Sequence, residues 1–307
     1  MGEMIDGVYF TEDAPLTASD GSFQRARSTL RDWISPGQDP AELHLFVAWN
    51  CPWAHRALLA RNFKGLTDIT VSIAAPRRTD QGWVFDDAAG FGDPLFGSSA
   101  VHEIYARHPD PYTGRITVPV LWDKLHRRII SNESADIVRM LNDAYPDLGP
   151  NLAPEALLPR IDEWNDLIYR TVNNGVYRAG FASTQAAYAA AATEVFETLD
   201  RIDVHLAYSR YLCGDAFSEA DLRLFPTLAR FDVAYHYAFK CNLKKISDYA
   251  HLWPYAREIY QMPGVAGTVH PDIYKAGYFS PSEKRNPLGI VPIGPVVDWS
   301  APHGRGS

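Results

Sequence analysis

One cysteine carries the clearest chemical signal in the chain. Cys51 stands directly before Pro52, within the run Asn-Cys-Pro-Trp-Ala-His-Arg of residues 50–56. A thiolate is a strong nucleophile, and the free N–H groups and positive dipole end at a helix N-terminus stabilise it. If a helix starts after Cys51, the sequence predicts a reactive thiol. A buried structural cysteine, the commoner role of an isolated thiol, is the alternative.

The flanking residues predict that position for Cys51. Residues 43–49 form an apolar run that is typical of a buried strand. Residues 54–64 repeat apolar side chains at helical spacing, and Gly65 follows in a C-cap position. Pro52 suits the first helical position, where its missing N–H costs nothing. A cysteine at a strand-to-helix turn favours the reactive interpretation.

A second stretch predicts backbone groups that a ligand could use. Residues 115–124 form a strand with Pro119 near its start, where proline removes a ladder hydrogen bond. A cis Val118–Pro119 bond would leave the backbone before it free to pair with something else.

The element order through residue 141 is β-α-β-α-β-β-α. The last helix follows a short strand at residues 128–131, with Ser131 or Asn132 as its cap, and its first N–H groups form an anion site. The long connection 75–97 contains four aromatic residues, so we expect a structured loop near a site. With a cysteine after the first strand and a proline starting the third, this order is the thioredoxin-like pattern.

After a linker rich in Pro and Gly at residues 143–154, the spacing of apolar residues predicts helices. Residues 184–208 are rich in alanine and keep one apolar face. Ser218 and Asp221 form a capping box, which has a role in folding. A further helix over residues 246–261 is expected to bend or break at Pro254.

Several of these motifs together resemble a cytosolic glutathione transferase, and the match is to the Xi class, the glutathionyl-hydroquinone reductases. The resemblance covers nearly the whole chain, about residues 20 to 295. The matching stretches are residues 50–56, 118–123, 131–134 and 274–278, Trp83, and the Ser218–Asp221 capping box.

The resemblance implies a two-domain architecture. A thioredoxin-like α/β domain over residues 42–145 is followed by an all-α domain over residues 146–281. Residues 1–41 are expected to be a surface extension without a core of its own, and residues 282–307 a tail. The class also implies a homodimer.

The resemblance implies a reaction as well. The Cys51 thiolate attacks the glutathione sulfur of a glutathionyl-hydroquinone, the hydroquinone leaves and is protonated, and a mixed disulfide remains. A second glutathione resolves the mixed disulfide and yields oxidised glutathione. A stabilised thiolate both attacks well and leaves well. Glutathione is the co-substrate, and no metal or nucleotide is expected.

Five residues are candidates for binding glutathione. The backbone of Val118 offers an N–H and a C=O, as an added strand would. Glu133 can pair with the ammonium group, and Ser134 with the helix N-terminus can hold the γ-glutamyl carboxylate, although simple helix capping is the alternative for both. Trp83 and Arg115 resemble the family's contacts at the glycine end, the first by packing and the second by charge, and plain packing in the loop is the alternative for Trp83.

Three tyrosines resemble the family's residues for the hydroquinone half. Tyr177 and Tyr278 are expected to be catalytic, because a phenol can hydrogen-bond a developing phenolate or relay its proton. Tyr274, one helical turn before Tyr278, is expected to bind the substrate. A single tyrosine is more often a packing residue, which is the alternative for each of them.

Other cysteine, histidine and arginine side chains give weaker evidence for a role in chemistry. Cys213 and Cys241 lack a strand-to-helix turn and are expected to be small core residues. His55 is expected to have a surface or capping role, and Arg56 either adds positive charge near Cys51 or is solvated. The ten histidines show no zinc-site spacing.

The composition excludes several classes of protein. With 307 residues, 46% of them hydrophobic, the chain is long enough for about two domains. A net charge of −8 argues against nucleic-acid or membrane partners, which need clustered cations. An odd number of cysteines and an acidic start without an apolar core favour a cytoplasmic protein.

The predicted reductase function has two alternatives. One is an omega-like thiol transferase or dehydroascorbate reductase, and the other is a non-catalytic ligand-binding homologue.

Overall fold

A computed structural model describes residues 2–12, 16–283 and 285–306. The chain forms two compact units. Unit 1 comprises Met1–Ala14 and Ala26–Pro150, and unit 2 comprises Pro15–Arg25 and Asn151–Ser307. Within the described ranges, no helix is both long and apolar enough to cross a membrane.

Unit 1 combines strands and helices. Its strands are β1 (Glu3–Ile5), β2 (Val8–Phe10), β3 (Leu43–Ala48), β4 (Thr70–Ala74), β5 (Gly114–Arg115), β6 (Val120–Asp123) and β7 (Arg128–Ser131). Its α-helices are α1 (Pro52–Phe63), α2 (His102–Ala106) and α3 (Ser134–Ala144).

The central sheet of unit 1 has the order β4-β3-β6-β7. Strands β3 and β4 are parallel, whereas β6 pairs antiparallel with β3 and with β7. Every residue of β3 is buried, as its uninterrupted apolar run predicts for a strand covered on both faces. The predicted thioredoxin-like order is confirmed.

The N-terminal extension contains structure that the sequence did not predict. Strands β1 and β2 pair with each other, and β1 also pairs with β5, which gives a three-stranded antiparallel sheet. Further on, Leu30 and Asp32 form backbone hydrogen bonds along the free edge of β7, to Asn132 and Ile130. The extension thus covers a sheet edge that would otherwise expose unpaired backbone groups.

Unit 2 is helical, as predicted. Its α-helices are α4 (Leu158–Ile168), α5 (Gly175–Gly180), α6 (Gln185–Leu206), α7 (Glu219–Arg230), α8 (His236–Ala238), α9 (Leu252–Gln261) and α10 (Pro271–Tyr278). Two π-helical segments, Tyr169–Asn173 and Phe231–Tyr235, connect α4 to α5 and α7 to α8.

The predicted bend at Pro254 is wrong. The structure has a short 3₁₀ turn at Ile246–Asp248, and α9 begins only at Leu252. Pro254 therefore lies in the first turn of α9, where the missing N–H has no intrahelical acceptor to lose.

The C-terminal segment is held against unit 2. Trp299 is buried, and its ring lies 4.9 Å from that of Trp253. The Gln261 side chain donates a hydrogen bond of 3.1 Å to the Trp299 carbonyl.

Candidate active site

Cys51 occupies the N-cap position of α1, immediately before Pro52 at the first helical position. The turn is closed by two backbone hydrogen bonds of 3.0 Å, from the Cys51 N–H to the Ala48 carbonyl and from the His55 N–H to the Cys51 carbonyl. The Cys51 side chain makes no capping hydrogen bond, so it satisfies none of the amide groups of the first turn. The predicted strand-to-helix turn is confirmed.

The Cys51 thiol contacts the backbone just before the cis proline. Its Sγ donates to the Val118 carbonyl at 3.4 Å, and the Val118–Pro119 peptide bond is cis, as predicted. Donation requires the protonated thiol. A thiolate has no proton to donate to the Val118 carbonyl, and it would accept from the amide groups at the start of α1 instead. Amide groups at a helix N-terminus stabilise an anion in this way.

In the first turn of α1, the expected surface position of His55 and the solvated alternative for Arg56 are wrong. His55 is only 1% exposed, so it does not lie on the surface. Arg56 is 2% exposed and therefore not solvated, and its guanidinium lies 4.6 Å from the centre of the Trp53 ring. Its other expected role, positive charge near Cys51, stays a prediction. Helix α1 is buried around most of its circumference, and a sequence pattern of charged and polar residues does not reveal this packing.

The second candidate anion site lies at the N-terminus of α3, where the cap is Glu133 rather than Ser131 or Asn132. The Glu133 carboxylate accepts from the Ala135 N–H at 3.1 Å, and the Glu133 N–H donates to Ser131 Oγ at 3.0 Å. Ser134 follows as the first helical residue and is buried. Glu133 and Ser134 thus stand together at this helix end, where both capping and ligand binding are chemically possible.

Trp83 and Arg115 occupy separate elements of unit 1. Trp83 is buried, with the Arg78 guanidinium 4.2 Å from the centre of its ring. Its carbonyl accepts from the Val101 N–H, so the long loop that carries it is structured, as predicted. Arg115 ends β5, and the Tyr112 hydroxyl donates to its carbonyl at 3.0 Å.

Unit 2 brings three tyrosine hydroxyls together. The hydroxyls of Tyr177 and Tyr278 lie 2.7 Å apart, and that of Tyr235 lies 3.1 Å from Tyr278. Tyr177 is on α5, Tyr235 ends the second π-helical segment, and Tyr278 ends α10. We call these three residues the tyrosine cluster. Tyr177 and Tyr278 are partly exposed, whereas Tyr235 is completely buried.

Two members of the tyrosine cluster, Tyr235 and Tyr278, are protonated at neutral pH. Burial raises the pKa of Tyr235 and of Tyr278 well above the usual value, and the neighbouring Tyr177 raises both further. The charge of the buried Arg230 opposes this shift at both residues. The cluster therefore presents hydrogen-bond donors and a transferable proton at neutral pH.

Tyr274 lies apart from this cluster. It is completely buried, and its hydroxyl donates to the Thr268 carbonyl at 3.1 Å. Its ring lies 4.0 Å from the Arg230 guanidinium. The structure thus gives Tyr274 a packing contact with a buried cation, and its predicted contact with substrate stays a prediction.

Sequence reasoning missed Tyr235. It falls in a π-helical turn after α7, where an extra residue per turn shifts the side chains out of the 3.6-residue pattern. An aromatic residue close behind a long amphipathic helix is the only signal that the sequence offers.

The other two cysteines are buried core residues, as predicted. Burial raises the pKa of Cys213, and it raises the pKa of Cys241 to about 12. Both thiols are therefore poor nucleophiles at neutral pH.

A thioredoxin-like unit with a cysteine at the first helix N-terminus, followed by a helical unit, defines the glutathione transferase class. Residues 50–144 match the family described as glutathione S-transferase, N-terminal domain, and residues 185–258 match its C-terminal domain. The chain belongs to the glutathione S-transferase family, in its Xi class of glutathionyl-hydroquinone reductases.

The similarity to relatives extends over almost the full length. The chain is 45% identical to the glutathionyl-hydroquinone reductase YqjG of Escherichia coli (strain K12), covering 99% of this chain and 98% of the relative. It is 42% identical to the glutathionyl-hydroquinone reductase PcpF of Sphingobium chlorophenolicum, covering 96% and 97%. The glutathione-bound structure of YqjG superimposes with a TM-score of 0.86 at 44% identity, covering 99% of each chain.

Proposed function

We propose that this protein is a glutathionyl-hydroquinone reductase, which uses glutathione to remove the glutathionyl group from glutathionyl-hydroquinones. The observation that carries the proposal is the placement of Cys51 at the N-terminus of α1 without a side-chain cap, on a chain 45% identical to YqjG. Glutathione is the co-substrate, and the glutathione-bound structure of YqjG supports its binding here.

The first step forms a mixed disulfide. The Cys51 thiolate attacks the sulfur of the glutathionyl-hydroquinone, a new S–S bond forms, and the bond between that sulfur and the ring carbon breaks. The electron pair of the broken bond goes to the ring carbon, which takes a proton and leaves as hydroquinone. The ring is reduced, and Cys51 is oxidised to the mixed disulfide.

The second step regenerates the enzyme. A second glutathione, as thiolate, attacks the glutathione sulfur of the mixed disulfide and displaces the Cys51 thiolate. The product is oxidised glutathione, and the proton that this glutathione thiol gave up replaces the one used on the ring. A thiolate stabilised at a helix N-terminus is also a good leaving group, so one position favours both steps.

Glutathione binding is assigned to unit 1. The Val118 backbone pairs with the cysteinyl part, Glu133 with the ammonium, and Ser134 with the γ-glutamyl carboxylate, while Trp83 and Arg115 hold the glycine end. The α3 N-terminus supports this assignment, because its amide groups and dipole favour a carboxylate.

Tyr177 and Tyr278 are assigned to the protonation of the leaving hydroquinone. Their hydroxyls form one hydrogen-bonded pair in which the proton can move, and both residues are partly exposed.

Membership of the family also supports a homodimeric, cytoplasmic protein. Equilibrium sedimentation of the purified chain tests whether it is a dimer.

Mass spectrometry tests the proposed intermediate. After the protein is mixed with a glutathionyl-hydroquinone, we expect one glutathione adduct on Cys51 that excess glutathione removes. The Cys241→Ser variant is the matched control and keeps the adduct, since its thiol is buried and held protonated. An adduct on Cys213 or Cys241, or none at all, contradicts the mechanism.

A substrate comparison separates this function from the omega-like alternative. The rate with a glutathionyl-hydroquinone is measured beside the rates with dehydroascorbate and with a simple glutathione mixed disulfide. Much faster turnover of either of these two contradicts the proposal and favours a thiol transferase. Binding of glutathione without turnover of any substrate favours a non-catalytic homologue.

A further inference from the structure

Residues 17–25 of the N-terminal extension are part of unit 2 and lie beside the tyrosine cluster. Thr17 and Phe23 form a β-bridge that folds this segment back on itself. The Gly21 carbonyl accepts from the Ser183 N–H at 3.0 Å, and the Asp20 carbonyl accepts from the Thr184 hydroxyl at 3.0 Å. These contacts, just before α6, hold the chain that leads to Arg25.

Gly21 shows that the approach is close. It has φ +85°, and a Cβ at this position would lie 2.6 Å from Thr184 Cγ2. A larger residue would push the segment away from the start of α6, so the conformation before Arg25 depends on this glycine.

Arg25 lies over the ring of Tyr177. Its Nε donates to Asn174 Oδ1 at 2.8 Å, and Asn174 directly precedes α5, the helix that carries Tyr177. The centre of the guanidinium is 4.8 Å from the centre of the Tyr177 ring and 5.3 Å from that of Phe23. The hydrogen bond to Asn174 therefore fixes the cation over the phenol.

The groups around Tyr177 include two other tyrosines and a nearby arginine. The Tyr278 hydroxyl bonds to it, and the Tyr235 ring centre lies 6.0 Å away. Arg230 acts on Tyr235 and Tyr278, and Arg25 is a cation in direct contact with the Tyr177 ring. A cation over an aromatic face attracts its π electrons, and it attracts a phenolate more strongly than a phenol.

We propose that Arg25 is a positioning residue for the reductase reaction: it holds Tyr177 in place and stabilises Tyr177 as the phenolate after proton transfer. The proposal rests on the proposed function. In the step, the O–H bond of Tyr177 breaks and a C–H bond forms at the ring carbon that loses glutathione. The negative charge stays on the Tyr177 oxygen, with Tyr278 donating to it, until the thiol proton of the second glutathione neutralises it.

The test compares Arg25→Gln with wild type on two substrates. One is a glutathionyl-hydroquinone without other ring substituents, which needs a proton on carbon. The other is the mixed disulfide of glutathione and 2-mercaptoethanol, which releases a thiolate. We expect Arg25→Gln to lower kcat with the first substrate by roughly fivefold to thirtyfold, so that the ratio of the two rates falls by a similar factor.

A pH profile and two further variants separate this role from a merely structural one. Loss of the cation disfavours the phenolate, so in Arg25→Gln the alkaline limb of kcat moves to higher pH while the maximum falls. Arg25→Lys keeps the charge but loses the planar group that bonds Asn174 and stacks on the ring, so we expect its kcat to lie between those of Arg25→Gln and wild type. Arg285→Gln is the matched control: the Arg285 guanidinium lies 4.3 Å from the Phe181 ring, which cannot ionise.

The outcomes are distinct. If wild type does not turn over the glutathionyl-hydroquinone, the proposed function fails. If wild type does so and Arg25→Gln keeps its rate ratio and pH profile, this inference is wrong. Equal losses in Arg25→Gln and Arg285→Gln also overturn it, because they indicate a packing effect that is independent of the phenol.

Discussion

Two helix N-termini in this protein are built in opposite ways. At the start of α1 in unit 1, the N-cap Cys51 makes no side-chain hydrogen bond to the helix. At the start of α7 in unit 2, Ser218 and Asp221 form a complete capping box. The Asp221 carboxylate accepts four hydrogen bonds, from the Leu212 N–H, the Tyr255 hydroxyl, and both the N–H and the hydroxyl of Ser218.

The difference separates a helix end that stabilises the fold from one that is available to a ligand. The donors and the positive dipole end exist at every helix N-terminus. At α7 the capping box satisfies the N-cap N–H and the Leu152 carbonyl accepts from the Glu219 N–H, so donors at this helix end contribute to stability. At α1 a thiol takes the capping position and makes no side-chain hydrogen bond to the helix donors. Substitutions at the start of α1 should therefore mainly affect activity, and substitutions at the start of α7 should mainly affect stability.

Cys51→Ser should give the largest effect on activity. We expect turnover of a glutathionyl-hydroquinone to fall at least a thousandfold, because serine lacks a nucleophilic sulfur and cannot form the mixed disulfide. The free energy of unfolding should change by less than about 1 kcal/mol, since serine is also a good N-cap residue. Steady-state kinetics and urea unfolding of the same preparation measure both quantities. Retained turnover would remove Cys51 from the mechanism.

Asp221→Ala should give the largest effect on stability. Four buried donors lose their acceptor, so we expect a loss of about 3–5 kcal/mol in urea unfolding. Activity per folded molecule should stay within about threefold of wild type. Ser218→Ala, which removes a single cap, is the matched control and should cost about 1 kcal/mol. Equal losses in the two variants would contradict the assignment of Asp221 as the common acceptor.

His44, on the strand that leads to Cys51, should make stability depend on pH. It is buried, with its ring nitrogens 2.6 Å from Thr70 Oγ1 and 2.7 Å from Ser72 Oγ, and burial lowers its pKa to about 4. Between pH 6.5 and 4 the unfolded chain binds a proton at His44 that the folded chain does not. Stability should therefore fall with decreasing pH over this window, by up to about 3 kcal/mol.

Urea unfolding at stepped pH values measures this effect. His44→Gln should show a flatter stability profile between pH 6.5 and 4, whereas His251→Gln, at an exposed position, should keep the wild-type slope. The buried Asp221 has the opposite sign, because burial raises its pKa and the folded chain binds its proton more readily. A slope that is unchanged in His44→Gln would contradict the assignment to His44.

The sequence predicted the elements that local rules control. Four such predictions follow from residue type and spacing over a few positions, and all are confirmed. They are the strand before Cys51, Pro52 at the first position of α1, the cis Val118–Pro119 bond and the capping box at α7. The expected surface position of His55 and the solvated alternative for Arg56 failed because packing decides burial. His55 and Arg56 are buried because neighbouring elements cover α1 on most sides, which no pattern within residues 50–56 records.

The tyrosine cluster shows the same division. The resemblance pointed to Tyr177 and Tyr278, yet the third hydroxyl, from Tyr235, comes from a π-helical turn that breaks the helical pattern, and Arg25 comes from a part of the chain far removed in sequence. Tyr274, one turn from Tyr278, faces Thr268 and Arg230. Which face of α10 meets which neighbour depends on the packing of unit 2.

By itself, the amino-acid sequence determined the class of fold and the position of Cys51 at a strand-to-helix turn. These features depend on backbone conformation and on contacts between residues close in the chain, which residue type and spacing encode directly. Only the tertiary structure decided which tyrosine hydroxyls lie within hydrogen-bond distance, which arginine lies over a phenol and which side chains are buried. Such contacts join residues far apart in sequence, and their geometry exists only once the elements have packed.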